Sequence, residues 1–296
     1  MFRFRLAAGA LAALLAGAGC ASAPSPGATP LPEPRPDPSA PAPDPSGGPT
    51  GSVPGEPAEL ERLIDGDSME LRIGGEVVEV RLLGINAPEL RLVNGDASCN
   101  GREAKAAMEA VLAAGNLRFD GGETDQFGRL LGHLYVGRRA VDGAMVSQGW
   151  ALALWSGGDP ALVAAMEDAA AAGAGLWGPT CGEPAAAVEV GDVQPDPKGR
   201  DEEHLNDEWI EIVNRAGAPL DLTGWSVADE TTSNRFELPA QSLAPGATLR
   251  IHTGSGADTA TDVYLDQRDP VWSNSGETVL VADPAGVVVA HRFLPG

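Results

Sequence analysis

Regular alternation of apolar and polar positions begins at Ser68. In "SMELRI", Ser68 to Ile73, the side chains of Met69, Leu71 and Ile73 share one face of a strand. Gly74-Gly75 is a hairpin signal, and Glu76 to Leu83 returns as the partner strand, with Val78, Val80 and Leu82 on one face and Glu79 and Arg81 on the other. The pattern predicts that a hairpin opens a globular domain starting near Ala58, with Arg81 pointing away from its apolar side. "GREAKAAMEAVLAAG" changes to helical spacing, with Ala104, Met108 and Val111 on one side, Asn100 available as a cap and Gly115 as the stop. "LRFDG" and "GHLYVG" read as strands, and "DGAMVSQG" and "PALVAAMEDAAAAGAGLWG" as two further helices. Several strands in a small barrel, with helices inserted and appended, is the expected architecture over residues 58–182.

After Cys181 the pattern becomes all-β. "EWIEIVN", "GWSVAD", "TLRIHTG", "TVLVAD" and "VVVAHRF" are short strands separated by turn clusters such as "APG", "SNSG" and "DPAG", which predicts a sandwich over residues 186–296. Residues 21–57 are so rich in Pro, Ser, Ala and Gly that no core can form, and they read as an extended spacer. Residues 1–20 carry a charged start, "MFRFR", and a short apolar run from Leu6 to Ala18, as a secretory signal does. "LLAGAGC" resembles a bacterial lipoprotein box ending at Cys20, with Gly17 where that pattern prefers Leu, while "ASA", Ala21 to Ala23, would serve as an ordinary cleavage site. Lipidation of Cys20 is the favoured reading, because a spacer directly after it would lift a domain off a membrane. The expected location is extracellular or on the cell surface. In an oxidising compartment the remaining pair, Cys99 and Cys181, is more often a disulfide than a metal site or two free thiols.

The net charge of -22 changes the picture by arguing against the basic footprint of a tight polyanion binder. A case for nucleic acid must therefore rest on a site. One candidate lies where the hairpin ends: "RLLGINAPE", Arg81 to Glu89, offers a guanidinium, an amide at Asn86 and a carboxylate around a break at Gly84 and Pro88. "IDGDS" adds Asp67 at the start of the opposing strand. Such a set suits a hard cation with oxygen ligands and a phosphate held by guanidinium. Taken singly each residue has a plain alternative: Glu89 could cap the next segment, Arg81 could pair with Glu79, and Arg129 could be a surface residue after a turn.

Taken together, "IDGDSMEL", "VRLLGINAPE", "TDQFGRLLGHLYV" and "LVAAMEDAAAAGAGLWG" resemble the thermonuclease family, the staphylococcal-nuclease-like nucleases, over about residues 60–178. The resemblance implies an OB-fold barrel with helices that hydrolyses DNA and RNA with one Ca²⁺. It makes Asp67 a metal ligand, places Asn86 where a second aspartate is usual, and has Ala87 contribute its backbone carbonyl. Glu89 matches the glutamate that activates or orients the attacking water, and Arg81 and Arg129 match the two arginines that clamp the phosphate. Phe127 stands where a tyrosine near the nucleotide is common. An amide at position 86 can ligate Ca²⁺ but brings no charge, so weaker metal binding is expected.

"NDEWIEIVNRAGAPLDLTGW", "LAPGATLRIHTG" and "VWSNSGETVLVADPAG" resemble the lamin-tail domain, which implies an immunoglobulin-like sandwich whose Trp209, Trp225 and Trp272 are packed aromatics and whose partner is unknown. The expected protein is thus multidomain, an exported nuclease of low sequence selectivity with nucleic acid as substrate and a membrane anchor at Cys20. The alternative is a catalytically silent surface module that binds a polymer or the envelope.

Overall fold

In a computed structural model the protein is described over residues 54–92, 95–155, 158–183, 187–231 and 234–295. Residues 1–53, which include the stretch read as a secretory signal, Cys20 and the stretch read as spacer up to residue 53, lie outside the described residues. Two layers of the fold concern function: a barrel and a sandwich, packed into one compact unit.

The barrel is built from β1 (Glu56–Leu63), β2 (Ser68–Ile73), β3 (Glu76–Leu82), a two-residue strand β4 (Ile85–Asn86), helix α1 (Cys99–Leu112), β5 (Leu117–Thr124), β6 (Leu130–Val136), β7 (Arg139–Ala140), helix α2 (Val141–Ser147), β8 (Leu152–Ala153) and helix α3 (Pro160–Ala171). The order β3-β2-β1-β5-β6 closes on itself because β3 also pairs with β6 in parallel, giving a five-stranded barrel with no free edge between those two strands. The hairpin does not open the domain. β1 precedes it, pairing with both β2 and β5, and it begins inside the stretch read as spacer. Its eight residues bury only Ala58, so it carries no alternation for the sequence to reveal.

Helix α1 is capped by Ser98, whose hydroxyl accepts from the Gly101 amide at 3.0 Å, and Asn100, the expected cap, instead sends its side-chain amide to the carbonyl of Gly286 at 2.9 Å. The third predicted helix stops at Ala171 and resumes as a single 3-10 turn, Gly175–Trp177, since Gly173 and Gly175 both take positive φ. Cys99, in the first turn of α1, is bonded to Cys181 in a second 3-10 turn, with Cα atoms 5.7 Å apart, so the bridge ties the end of this segment back to the helix.

The sandwich comprises β9 (Val188–Gln194), β10 (Trp209–Asn214), β11 (Leu220–Asp221), β12 (Ser226–Ala228), β13 (Arg235–Glu237), β14 (Ser242–Leu243), β15 (Thr248–His252), β16 (Asp262–Tyr264), β17 (Gly276–Ala282) and β18 (Val288–Pro295). Two four-stranded sheets, β16-β15-β10-β9 and β13-β12-β17-β18, enclose a core of Ile210, Ile212, Leu249, Ile251, Val227, Val279 and Val281. Trp225 and Trp272 are buried in it. Trp209 is only half-buried and carries the Arg250 guanidinium 3.9 Å above its ring. Ala228 of β12 and Leu280 of β17 belong to the barrel's hydrophobic cluster, so the second sheet turns its other face onto the barrel.

Candidate active site

Strand register brings the first two charged groups together. β2 and β3 pair Ser68 with Arg81, and the Leu82 amide donates to the Asp67 carbonyl at 2.9 Å, so Asp67 stands directly against Arg81 at the end of the hairpin. Asp67 is 2% exposed and fully engaged. Its Oδ1 is ion-paired with the Arg81 guanidinium and accepts from the Ser68 hydroxyl at 2.9 Å, while Oδ2 accepts from the Ala87 amide at 2.5 Å. Arg81 therefore pairs with Asp67 and not with its strand neighbour Glu79. Its second nitrogen, Nη2, donates to Asn86 Oδ1 at 2.8 Å and to the Ile85 carbonyl at 3.3 Å. The close approach of the two loops requires glycine at position 66, where a Cβ would lie 2.6 Å from that of Ala87.

Asp65, two residues before Asp67 and not among the residues singled out in the sequence, belongs to the same cluster. Its Oδ1 accepts from the amides of Asp67 and Ser68 at 3.0 and 2.7 Å, which fixes the turn that presents Asp67. Burial raises its pKa, against the lowering effect of the Ser68 amide and of Arg81 and Arg129. The D-G-D spacing was the available signal.

Parallel pairing of β3 with β6, Val80 beside Leu130 and Arg81 beside Leu131, brings Arg129, just before β6, to the same barrel end, near enough for its charge to act on Arg81. Asp125 builds its turn: Oδ1 accepts from the amides of Phe127 and Arg129 at 2.9 and 3.0 Å, and Oδ2 accepts from Arg129 Nε at 2.7 Å. Partial desolvation pushes Asp125 upward, but the hydrogen bonds from Arg129 and Phe127 outweigh it and its carboxyl titrates below the usual range. Phe127 is 74% exposed, with the Arg129 guanidinium 5.5 Å from its ring centre.

Glu89 is exposed at the cluster's edge. Its pKa is raised, first by desolvation and then by the negative charge of Asp65, while Arg81, Arg129 and Arg235 draw it down. Arg81 is lowered by burial and by Arg129 but supported by Asp65 and Glu89. The fold thus gathers Asp67, Arg81, Asn86, Ala87, Glu89 and Arg129 at one barrel end. Helix α1 holds the Glu89 loop close, since a Cβ on Gly101 would fall 2.1 Å from the Glu89 carbonyl.

Asp67, Asn86 Oδ1 and the Ala87 carbonyl are all oxygen donors, the type a hard cation takes. The Arg81 guanidinium lies between the first two, bonded to both, which is where positive charge would hold them together. The donor set therefore fits a divalent cation in kind, with a single anionic ligand. Among the described residues no group of three or more His, Cys, Asp and Glu side chains is arranged to hold a metal.

Residues 79–179 match the family described as Staphylococcal nuclease homologue, and residues 182–293 match the Lamin Tail Domain. Among curated proteins, the chain is 32% identical over 131 residues to Protein ParB of Escherichia coli, covering 40% of this chain and 71% of that protein. The chain belongs to the staphylococcal nuclease homologues. It is also 33% identical over 95 residues to the SPbeta prophage-derived endonuclease YokF of Bacillus subtilis, covering 31% of this chain and 32% of that one. Endonuclease YncB of the same organism is 32% identical over 95 residues, 31% of this chain and 45% of its own length. The barrel end is accordingly the candidate active site of a nuclease domain, a phosphodiester hydrolase, and the sandwich is a lamin tail domain.

The lamin tail domain reaches into this site. Asn86 Nδ2 donates to the Glu230 carbonyl at 3.0 Å. Glu230 is itself buried, its carboxylate accepting from the Thr278 amide at 2.8 Å and facing the Trp155 amide of the nuclease domain at 3.4 Å, while Trp155 Nε1 donates to the Thr278 hydroxyl at 2.9 Å. Sequence reasoning missed Glu230 because nothing local marks it.

Proposed function

We propose that this protein is an exported, Ca²⁺-dependent nuclease that hydrolyses phosphodiester bonds of DNA and/or RNA with low sequence selectivity, anchored to the membrane through Cys20. The observation that carries the reading is the meeting of Arg81, Arg129 and Glu89 beside Asp67 at one end of the barrel. The endonuclease names of its relatives support it, and the leader-like start and the cysteine at position 20 support export and anchoring.

A divalent cation held by Asp67, Asn86 and Ala87 would polarise a phosphoryl oxygen as a Lewis acid. Glu89 takes up the proton of the attacking water or orients it. Arg81 and Arg129 supply guanidinium donors to the non-bridging oxygens, where negative charge grows in the transition state. Asp125 keeps Arg129 in place for this, and the exposed ring of Phe127 offers a stacking surface for a base without discriminating among bases.

A second reading, a silent module that binds polymer or envelope, is favoured by the engagement of Arg81 with Asp67 and Asn86, which a phosphate would have to break. Incubation of the purified protein with plasmid and with RNA, in Ca²⁺ or in EDTA, separates the two. Cleavage that depends on Ca²⁺ is expected. Intact substrate under all conditions would overturn the nuclease reading.

A further inference from the structure

A cavity of about 270 Å³ opens between the two domains, directly beside the candidate active site. One wall is the nuclease loop with Asn86 and Glu89, and the facing wall is the lamin tail domain with Arg235 of β13. Arg91 stands on the nuclease side, and Leu152 and Leu280 line the cavity from the two domains. Its polar and apolar mixture and its size suit one nucleotide rather than a duplex.

Arg235 is the unusual member. Its backbone pairs with Ala228 of β12, but its exposed side chain makes no hydrogen bond or ion pair among the described residues, while Arg81 and Arg129 are both held by aspartates. Desolvation lowers its pKa, and Glu89 is the charge that supports it. Asp229, on the same wall, is consumed locally: its Oδ1 accepts from the Thr231 amide and hydroxyl at 2.7 and 2.6 Å, and its Oδ2 from the Asn234 side chain at 2.7 Å. A guanidinium without an acceptor, set in a cavity against a phosphodiesterase site in a chain of net charge -22, is a place prepared for an anion.

We propose that the lamin tail domain supplies a substrate subsite: Arg235 binds a phosphate of the nucleic-acid strand neighbouring the one cleaved, with the adjoining nucleotide in the interdomain cavity. The inference rests on the nuclease reading. Arg235 is placed by its pairing with Ala228 of β12, and Glu230, two residues beyond Ala228, joins both domains through its carbonyl and carboxylate. It would also give the acidic second domain a role in substrate binding that its composition does not advertise.

The test compares wild type, Arg235→Ala and Arg235→Lys, using a dinucleotide that holds a single phosphodiester and a single-stranded octanucleotide. Arg235→Ala should raise KM for the octanucleotide several-fold more than KM for the dinucleotide, which carries any shared effect of the lost charge on Glu89, with no shift in thermal unfolding. In EDTA, binding of the octanucleotide measured against salt should lose about 0.7 from the slope of log K on log salt in Arg235→Ala, the share of one phosphate contact on a single strand, and Arg235→Lys should retain it. Equal KM and equal slope in wild type and Arg235→Ala would overturn the proposal. If wild type cleaves neither substrate, the nuclease reading fails, and the salt slope in EDTA still decides whether Arg235 holds a phosphate.

Discussion

The side-chain amide of Asn86 donates 3.0 Å to the main-chain carbonyl of Glu230, while its oxygen accepts from Arg81 at 2.8 Å. One residue therefore joins the lamin tail backbone to the guanidinium that also holds Asp67. An amide has both a donor and an acceptor to offer, and this position uses both. Read from sequence, position 86 is a metal ligand short of one charge; read in three dimensions, its nitrogen is committed to domain docking.

Asn86→Asp should consequently lose more than it gains. The added charge favours a hard cation, but a carboxylate oxygen would face the Glu230 carbonyl, leaving a buried acceptor unpaired at a cost of about 1–3 kcal/mol. Thermal unfolding without metal should show a lower Tm than wild type, and calorimetric titration with Ca²⁺ should show tighter binding. An unchanged Tm would remove the docking role, and unchanged Ca²⁺ affinity would remove position 86 from the metal.

Replacing Arg81 or Arg129 with Ala should lower turnover on plasmid by about 10²-fold or more, as deletion of single transition-state donors does. The two should differ in stability. Arg81→Ala leaves the buried Asp67 without its ion pair and should lower Tm, whereas Arg129→Ala frees only the more exposed Asp125. Circular dichroism melts beside initial rates check both, and near wild-type turnover in Arg129→Ala would remove it from the clamp.

The bridge between Cys99 and Cys181 closes a sequence separation of 82 residues. In the chain-entropy model a loop of that size contributes about 4–5 kcal/mol. The Cys99→Ser, Cys181→Ser double variant should unfold at markedly lower denaturant than oxidised wild type. Non-reducing peptide mapping should recover the linked pair, and two alkylatable thiols would refute the bridge.

Glu277 should make stability depend on pH. It is 1% exposed, with Oε2 accepting from the Ser273 amide at 2.9 Å and Oε1 without a hydrogen-bond partner among the described residues. Burial first, and then the charges of Glu230, Asp229 and Glu208, against the Ser273 hydrogen bond, push its pKa up to about 8 from 4.5. Between those values the folded state holds a proton that the unfolded chain has released, so stability falls as pH rises across that window. Glu277→Gln should abolish this dependence: Tm should exceed wild type by several degrees near about pH 9 and match it near about pH 5. Parallel curves across the range would show that Glu277 does not titrate there.

Local pattern determined a good deal. The span of β2 is the span of its alternation, the hairpin after it follows from Gly74-Gly75, and the residue types around Arg81 to Glu89 were legible as phosphate and cation chemistry because each lies next to a strand end or turn that sequence marks. Where local signal was weak the reading faltered. β1 buries one residue in eight and so shows no periodicity, and Ser98 rather than Asn100 caps α1 because Asn100 has a tertiary partner in Gly286. What only the folded chain decided is who faces whom. Parallel pairing of β3 with β6 brings Arg129 to the barrel end that holds Arg81, and Glu230 meets Asn86 across 144 residues of sequence. Such contacts are fixed by barrel closure and by burial of one sheet of the sandwich against it, and hydrophobic burial has no direction of its own, so no residue in either segment announces its partner in the other.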